Sequence, residues 1–145
     1  MTINNILFKS NDGYSDLPLR LGLGTVFVAH GAQKLFGWFG GYGLEATGQW
    51  MDSIGLSPGW LMALLAGGGE FFGGLLIIAG LMTRLAALSA AITMLVAIVS
   101  VHLANGFFIS NNGYEYAFAL LTMTAALIIR GAGSVSLDRL FNTTQ

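Results

Sequence analysis

The sequence contains no cysteine. Disulfides, thiolate metal sites and thiol redox chemistry carried by this chain are thereby excluded. Charge is scarce as well: 9% of the 145 residues are charged and 54% are hydrophobic, whereas a soluble domain carries about 25% charged residues. A water-soluble fold of this composition would have too few charges to cover its surface. Lipid removes that difficulty, because an apolar exterior is what a bilayer favours. The formal net charge is −1, so no basic excess points to nucleic acid. Two prolines are present, and both, Pro18 and Pro58, sit where a helix would start. The N-terminal stretch is polar, with Lys9, Asp12 and Asp16, and no small-residue cleavage site closely follows the first apolar run. That run is read as a retained helix rather than a cleaved signal.

What is present is long apolar segments. A bilayer core needs about 20 mainly apolar helical residues, and four segments approach that length, at about 17–36, 60–81, 84–104 and 114–130. Met82 and Thr83 alone separate the second from the third, which reads as two antiparallel helices with a tight turn. The predicted fold is an all-α membrane protein, a four-transmembrane-helix bundle forming one integral membrane domain over 1–145.

The connection between the first two segments holds all three tryptophans, Trp38, Trp50 and Trp60, together with Phe39 and Tyr42. Such rings concentrate at membrane–water interfaces, being apolar with a polar edge. The stretch from Leu44 to Ile54 is read as a short amphipathic helix lying in that interface. With four spans, Lys9, Arg20, Arg84, Arg130 and Arg139 share one side and only Lys34 lies on the other. The positive-inside rule then makes the five-charge side, with both termini, cytoplasmic.

Ionisable side chains inside a span cost about 2.5 to 3.5 kcal/mol each at its centre on insertion scales. They persist where they pair or where function needs them. Segment one carries Arg20, His30 and Lys34 on one helical stripe with Leu23 and Phe27. Segment two carries Glu70 near its middle, on a face of Ala63, Ala66, Gly67, Gly73 and Gly74. Small residues of this kind let a neighbouring helix approach, and Gly69 to Gly73 has the small-xxx-small spacing. Segment three ends with His102 and Asn105, and segment four opens with Glu115, with Thr122 further along. In this topology His30, Lys34, His102 and Glu115 lie in the outer half, where Glu70 can join them. Two readings stay open. One is a set of buried ion pairs, Lys34 with Glu70 or Glu115, that fixes helix register; the other is a polar pocket that binds a lipid-soluble ligand or moves protons. A carboxylate as deep as Glu70 is expected to contact Lys34 or His30.

Other chemistries fit poorly. Haem between His30 and His102 is disfavoured because their depths differ. A di-iron bundle would want Glu-x-x-His pairs, and Glu70 is followed three residues on by Gly73. No metal site is expected. Gly22-x-Gly24 and Gly67-Gly68-Gly69 do not sit at strand-to-helix turns, so nucleotide loops are not supported.

Three ordered motifs carry a family resemblance. His30-Gly31-x-Gln33-Lys34-Leu35-Phe36-Gly37, the glycine-flanked Glu70 run ending at Gly74 with Gly80-Leu81-x-Thr83-Arg84, and Gly113-Tyr114-Glu115-Tyr116 together resemble the DoxX family. The resemblance spans Leu17 to Arg130. It implies a four-helix bacterial inner-membrane protein, in a family with members associated with a thiosulfate:quinone oxidoreductase or with oxidative-stress complexes. It supports architecture strongly and reaction weakly.

The leading functional expectation is a quinone-interacting subunit of a membrane redox system. Phe27, Phe71 and Phe72 would form apolar walls, with His30, Lys34 and Glu70 as donors and proton carriers. No electron carrier is encoded, so electrons would come from a partner redox protein. The alternative is a non-catalytic scaffold or assembly factor docking partner helices, or a second copy, through its glycine-rich faces.

Overall fold

The computed structural model describes residues 13–142, and every regular element within them is helical. The helices are α1 (Asp16–Phe36), α2 (Gly43–Ser53), α3 (Gly59–Ala79), α4 (Thr83–Ala97), α5 (Glu115–Arg130) and α6 (Leu137–Asn142). Short 3₁₀ turns occupy Trp38–Gly40 and Ile109–Asn111, and α4 runs on through a π turn at Ile98–His102 and a 3₁₀ turn at Leu103–Asn105. Lys9, used above for orientation, lies outside the described residues.

Glycines set two of the boundaries. Gly37 ends α1 and Gly80 ends α3, each in the left-handed region (φ 71° and 66°) that lets a chain leave a helix cheaply. The stop at Gly80 ends α3 two residues before the expected 81. The turn that follows places Met82 at φ 47°, an uncommon conformation for a residue with a Cβ. Asp138 of α6 holds it there: its carboxylate accepts from Met82 N at 2.6 Å and Thr83 N at 3.0 Å, capping the otherwise unpaired start of α4.

α1 lies along α3, α3 packs on α4 and α4 on α5, while α2 folds against α3 and α1. Leu23, Phe27, Ile77, Ala87, Ala90, Leu120 and Leu127 form the shared core. α1 and α3 approach each other closely, and glycines make the contact. A Cβ on Gly31 would fall on Phe71 N and within 2.7 Å of Gly67 O; one on Gly74 would lie 2.7 Å from Gly24 O. The Gly69/Gly73 pair expected from small-residue spacing is not this contact. A Cβ on Gly73 would meet only Ala86 O, at 3.5 Å, and Gly69 turns to Ser89 on α4.

Two helices are long and apolar enough to cross a membrane, Gly59–Ala79 and Thr83–Asn105. Only 33% and 28% of their most apolar windows are buried within the protein, so both turn large apolar surfaces outward, as lipid-facing helices do and soluble core helices do not. α5 has 16 helical residues, short of a full span on its own count.

A second polar cluster, at the end of the molecule opposite Lys34, ties the C-terminal segment to the helices. Arg20, 2% exposed, donates to Ile77 O, Ile78 O, Ala132 O and Val135 O at 2.5–2.9 Å. Arg130 Nε meets Asp16 Oδ1 at 2.7 Å, and Arg84 Nη2 donates to Ile129 O at 3.0 Å.

Candidate functional site

The glycine-mediated contact of α1 with α3 has a consequence one turn further along. Lys34 follows Gly31 by three residues and Glu70 follows Gly67 by three, so both side chains leave the tightest part of the interface on adjoining faces. Lys34 Nζ lies 2.6 Å from Glu70 Oε2, with the carboxylate side chain 2% exposed and the lysine 25%. This is the only ion pair formed by the two residues among those described, and it is a costly arrangement unless geometry is good.

The pair stands at the wall of a partly open cavity of about 1020 Å³, large against the roughly 300–1,000 Å³ of typical ligand pockets. Phe27, Met51, Leu65, Ile92 and Leu120 supply apolar wall, and Tyr42, Trp50 and Tyr116 supply rings that combine an apolar face with a polar edge. His30 also lines it, its ring tilted at 53° to that of Tyr116 with centroids 6.1 Å apart. From α4 come Ser89 and Thr93, and from its irregular end comes His102, whose Nδ1 lies 2.8 Å from Asn112 O.

Four of the five ionisable residues singled out from sequence therefore share one cavity: His30, Lys34, Glu70 and His102. Glu115 does not join them. It stands in the first turn of α5 and its Oε2 turns back to accept from Ile109 N at 2.9 Å, closing the Gly106–Gly113 loop rather than pairing with Lys34. Of the expected apolar walls, Phe27 lines the cavity and Phe71 and Phe72 do not. Phe72 is 59% exposed, and Phe71 packs edge-on against Phe36, so both turn away from the cavity that Glu70 faces. Sequence reasoning missed Ser89, Thr93, Tyr42, Trp50 and Tyr116 as lining residues. Ser89 and Thr93, four apart on an otherwise apolar segment, were the available signal. Among the described residues no group of three or more His, Asp or Glu side chains could hold a metal ion.

An apolar cavity with an ion pair in its wall has the chemistry to suit a ligand that is largely apolar yet carries one or two oxygens able to hydrogen-bond. The ion pair offers a donor and an acceptor close together, and the flanking aromatic faces suit a planar ring.

Comparison with known proteins agrees with the helical membrane architecture. The DoxX family model matches residues 15–103. An uncharacterized protein of Haemophilus influenzae is 34% identical over 130 residues, 88% of this chain and 83% of that protein. A Bacillus subtilis protein named "Putative oxidoreductase CatD" is 33% identical over 122 residues, covering 84% of this chain and 83% of its own length. A second uncharacterized H. influenzae protein is 33% identical over 126 residues, 85% of this chain and 87% of that one. No solved structure matches. With the family model covering well over half of its length and relatives aligned over most of the rest, this chain belongs to the DoxX family of membrane proteins.

Proposed function

We propose that this protein is a four-span inner-membrane subunit that binds a quinone and serves a membrane redox system. The observation that carries the reading is the cavity walled by the Lys34–Glu70 pair, with His30 and His102 in the same lining. A quinone needs an apolar slot for its ring and hydrogen-bond partners for its two oxygens, and reduction also needs a proton source. Lys34 is able to donate to a quinone oxygen, Glu70 to exchange protons through the pair, and Phe27, Trp50 and Tyr116 to flank the ring. In this reading electrons arrive from a partner redox protein. The name given to the B. subtilis relative is in keeping with an oxidoreductase role.

In this reading α1, α3, α4 with its extension, and α5 cross the bilayer, and α2 lies at its outer surface with Trp50 and Trp60. Arg20, Arg84 and Arg130 gather at the end away from Lys34, which the positive-inside rule assigns to the cytoplasm. The cavity then faces the outer half of the membrane. The scaffold alternative needs glycine-rich faces free for partner helices, whereas Gly24, Gly31, Gly67 and Gly74 are consumed in the α1–α3 contact.

The test uses Trp50, which lines the cavity, as a reporter. In a Trp38→Phe/Trp60→Phe background, a short-chain quinone should quench its emission saturably. Ala97→Phe, which fills the cavity from α4, should abolish the saturable part. Quenching that is unchanged by Ala97→Phe would refute binding at this site.

A further inference from the structure

α3 and α4 are joined by the short turn after Ala79 and pack closely beside it. A Cβ on Gly73 would lie 3.5 Å from Ala86 O. One turn further from the connection, a Cβ on Gly69 would lie 2.8 Å from Ser89 Oγ and 3.6 Å from Thr93 Oγ1. The two facing stripes continue at the helical spacing of three and four residues, through Ala66, Leu65 and Met62 on α3 and Ile92, Val96 and Ala97 on α4. All six line the cavity. The helices thus close on each other at Gly69 and Ser89 and hold the cavity between them beyond that level.

Leu65, Ile92 and Val96 line the cavity and are also open to the outside, at 59%, 54% and 44% exposure. They make an aliphatic rim, and apart from Glu70 no α3 or α4 residue in the lining is charged. The rim belongs to the two helices long and apolar enough to cross a membrane, and most of their apolar windows turn outward. In a bilayer this side of the cavity faces lipid. Tyr42 and Ile109, exposed lining residues of the connections, stand instead at the outer surface.

Resting on the quinone-binding reading, we propose that the cleft between α3 and α4 houses an aliphatic chain carried by the ligand. The site then takes a quinone that resides in the bilayer, with its ring at the Lys34–Glu70 pair and its chain leaving past Leu65, Ile92 and Val96 into lipid. Leu65 is five residues from Glu70, about 7.5 Å along the helix, a short step for the first links of a chain attached to that ring. Lipid tails are as apolar as the cleft, so the chain gains little by moving from one to the other. The cleft instead lets the ring reach the pair while the chain stays out of water. A closed wall here would force the chain through the outer mouth, where water disfavours its apolar surface.

The experiment reconstitutes the full-length protein in vesicles of phosphatidylethanolamine and phosphatidylglycerol with a benzoquinone whose decyl chain carries a diazirine. After illumination, peptide mass spectrometry should find labels around Leu65 and from Ile92 to Val96. Excess tetramethyl-benzoquinone, which has no chain, should remove them by taking the place of the ring. Cleft labels that it does not displace, matching those left by a diazirine-bearing decyl alcohol, are contact with bilayer lipid alone and overturn the inference. Displaceable labels centred on Tyr42, Trp50 or Ile109 put the chain in the outer mouth and also overturn it. Leu65→Phe/Val96→Phe narrows the rim from both helices. It should weaken saturable Trp50 quenching by decyl-benzoquinone, relative to the chainless quinone, by at least about tenfold, the equivalent of two methylenes turned out into water. An unchanged ratio overturns the inference; if that variant fails to accumulate, the labelling decides alone. No displaceable label, with quenching by the chainless quinone still saturable, overturns this inference and leaves quinone binding intact. Loss of that quenching as well overturns both.

Discussion

Gly31→Ala is the smallest change that tests the architecture around the cavity. The added methyl would meet Phe71 N, Gly67 O at 2.7 Å and Phe71 Cα at 2.7 Å, all of them backbone or fixed to it. Ordinary contact begins near 3.4 Å, so α1 and α3 must part by about 1 Å or tilt, because no flexible side-chain tip is available to yield. Overpacking of this kind costs about 1 to 3 kcal/mol, against a gain of roughly 1 kcal/mol from replacing a helical glycine with alanine. The strain should win. Gly68→Ala is the control, since nothing lies within 4 Å of its Cβ position; there only the helix-propensity gain remains and stability should rise. Thermal unfolding of the purified protein in a single detergent, followed by circular dichroism, compares the two. Separation of α1 from α3 also stretches the 2.6 Å Lys34–Glu70 contact one turn away, so Gly31→Ala should weaken ligand-dependent quenching of Trp50 even below its melting temperature. A Gly31→Ala protein that melts together with Gly68→Ala, or above it, would refute the claim that this glycine contact sets the helix spacing.

Three further expectations concern charge, topology and the C-terminal segment. Lys34→Met leaves the buried Glu70 carboxylate without its cation and should cost about 3 to 5 kcal/mol; adding Glu70→Gln should recover part of that loss in denaturant unfolding, whereas no recovery would mean that the two residues act independently. Single cysteines at Tyr42 and Asn111, both exposed, should react with an impermeant thiol reagent in intact cells and one at Val135 should not, with labelling at Val135 alone reversing the orientation. Asp138→Ala removes the acceptor that caps Met82 N and Thr83 N and should destabilise by about 0.5 to 2 kcal/mol; hydrogen exchange at the α3–α4 turn should rise with it, and unchanged exchange there would show that the turn holds itself.

Much of the helical layout was legible because it rests on local rules. Apolar length located the helices, Gly37 and Gly80 marked two of their ends, and the aromatic-rich connection contained α2 within a residue of its expected limits. The contact expected between Glu70 and Lys34 is present, for a buried carboxylate in an apolar segment has few cations to choose from. What escaped depends on distance along the chain or on small rotations. Arg20 was read as a cytoplasmic-side charge on the stripe of His30 and Lys34, but it binds carbonyls at the end of α3 and on the C-terminal segment, 57 to 115 residues away. Glu115 was placed with the other ionisable groups by depth alone, and a backbone N–H of its own loop proved the nearer partner. Phe71 and Phe72 were expected as apolar walls, and the rotation of α3 that turns Glu70 inward sends them to Phe36 and to the outer surface instead. The glycine contact uses Gly67 and Gly74, seven apart, against Gly24 and Gly31, also seven apart. That matching spacing on two segments was visible, but the shorter Gly69/Gly73 spacing is the more familiar pattern and masked it.

Quinone binding is tested most directly by purifying the protein from its native membrane, extracting it, and measuring bound quinone by mass spectrometry against the same preparation of Glu70→Gln. That variant keeps the shape of the side chain and removes the carboxylate from the cavity wall. Quinone is expected close to one per protein in the parent, well above the amount carried by an unrelated membrane protein from the same cells, with a several-fold loss in folded Glu70→Gln. Background-level quinone in the parent, or equal amounts in parent and variant, would contradict a quinone site built on this cavity.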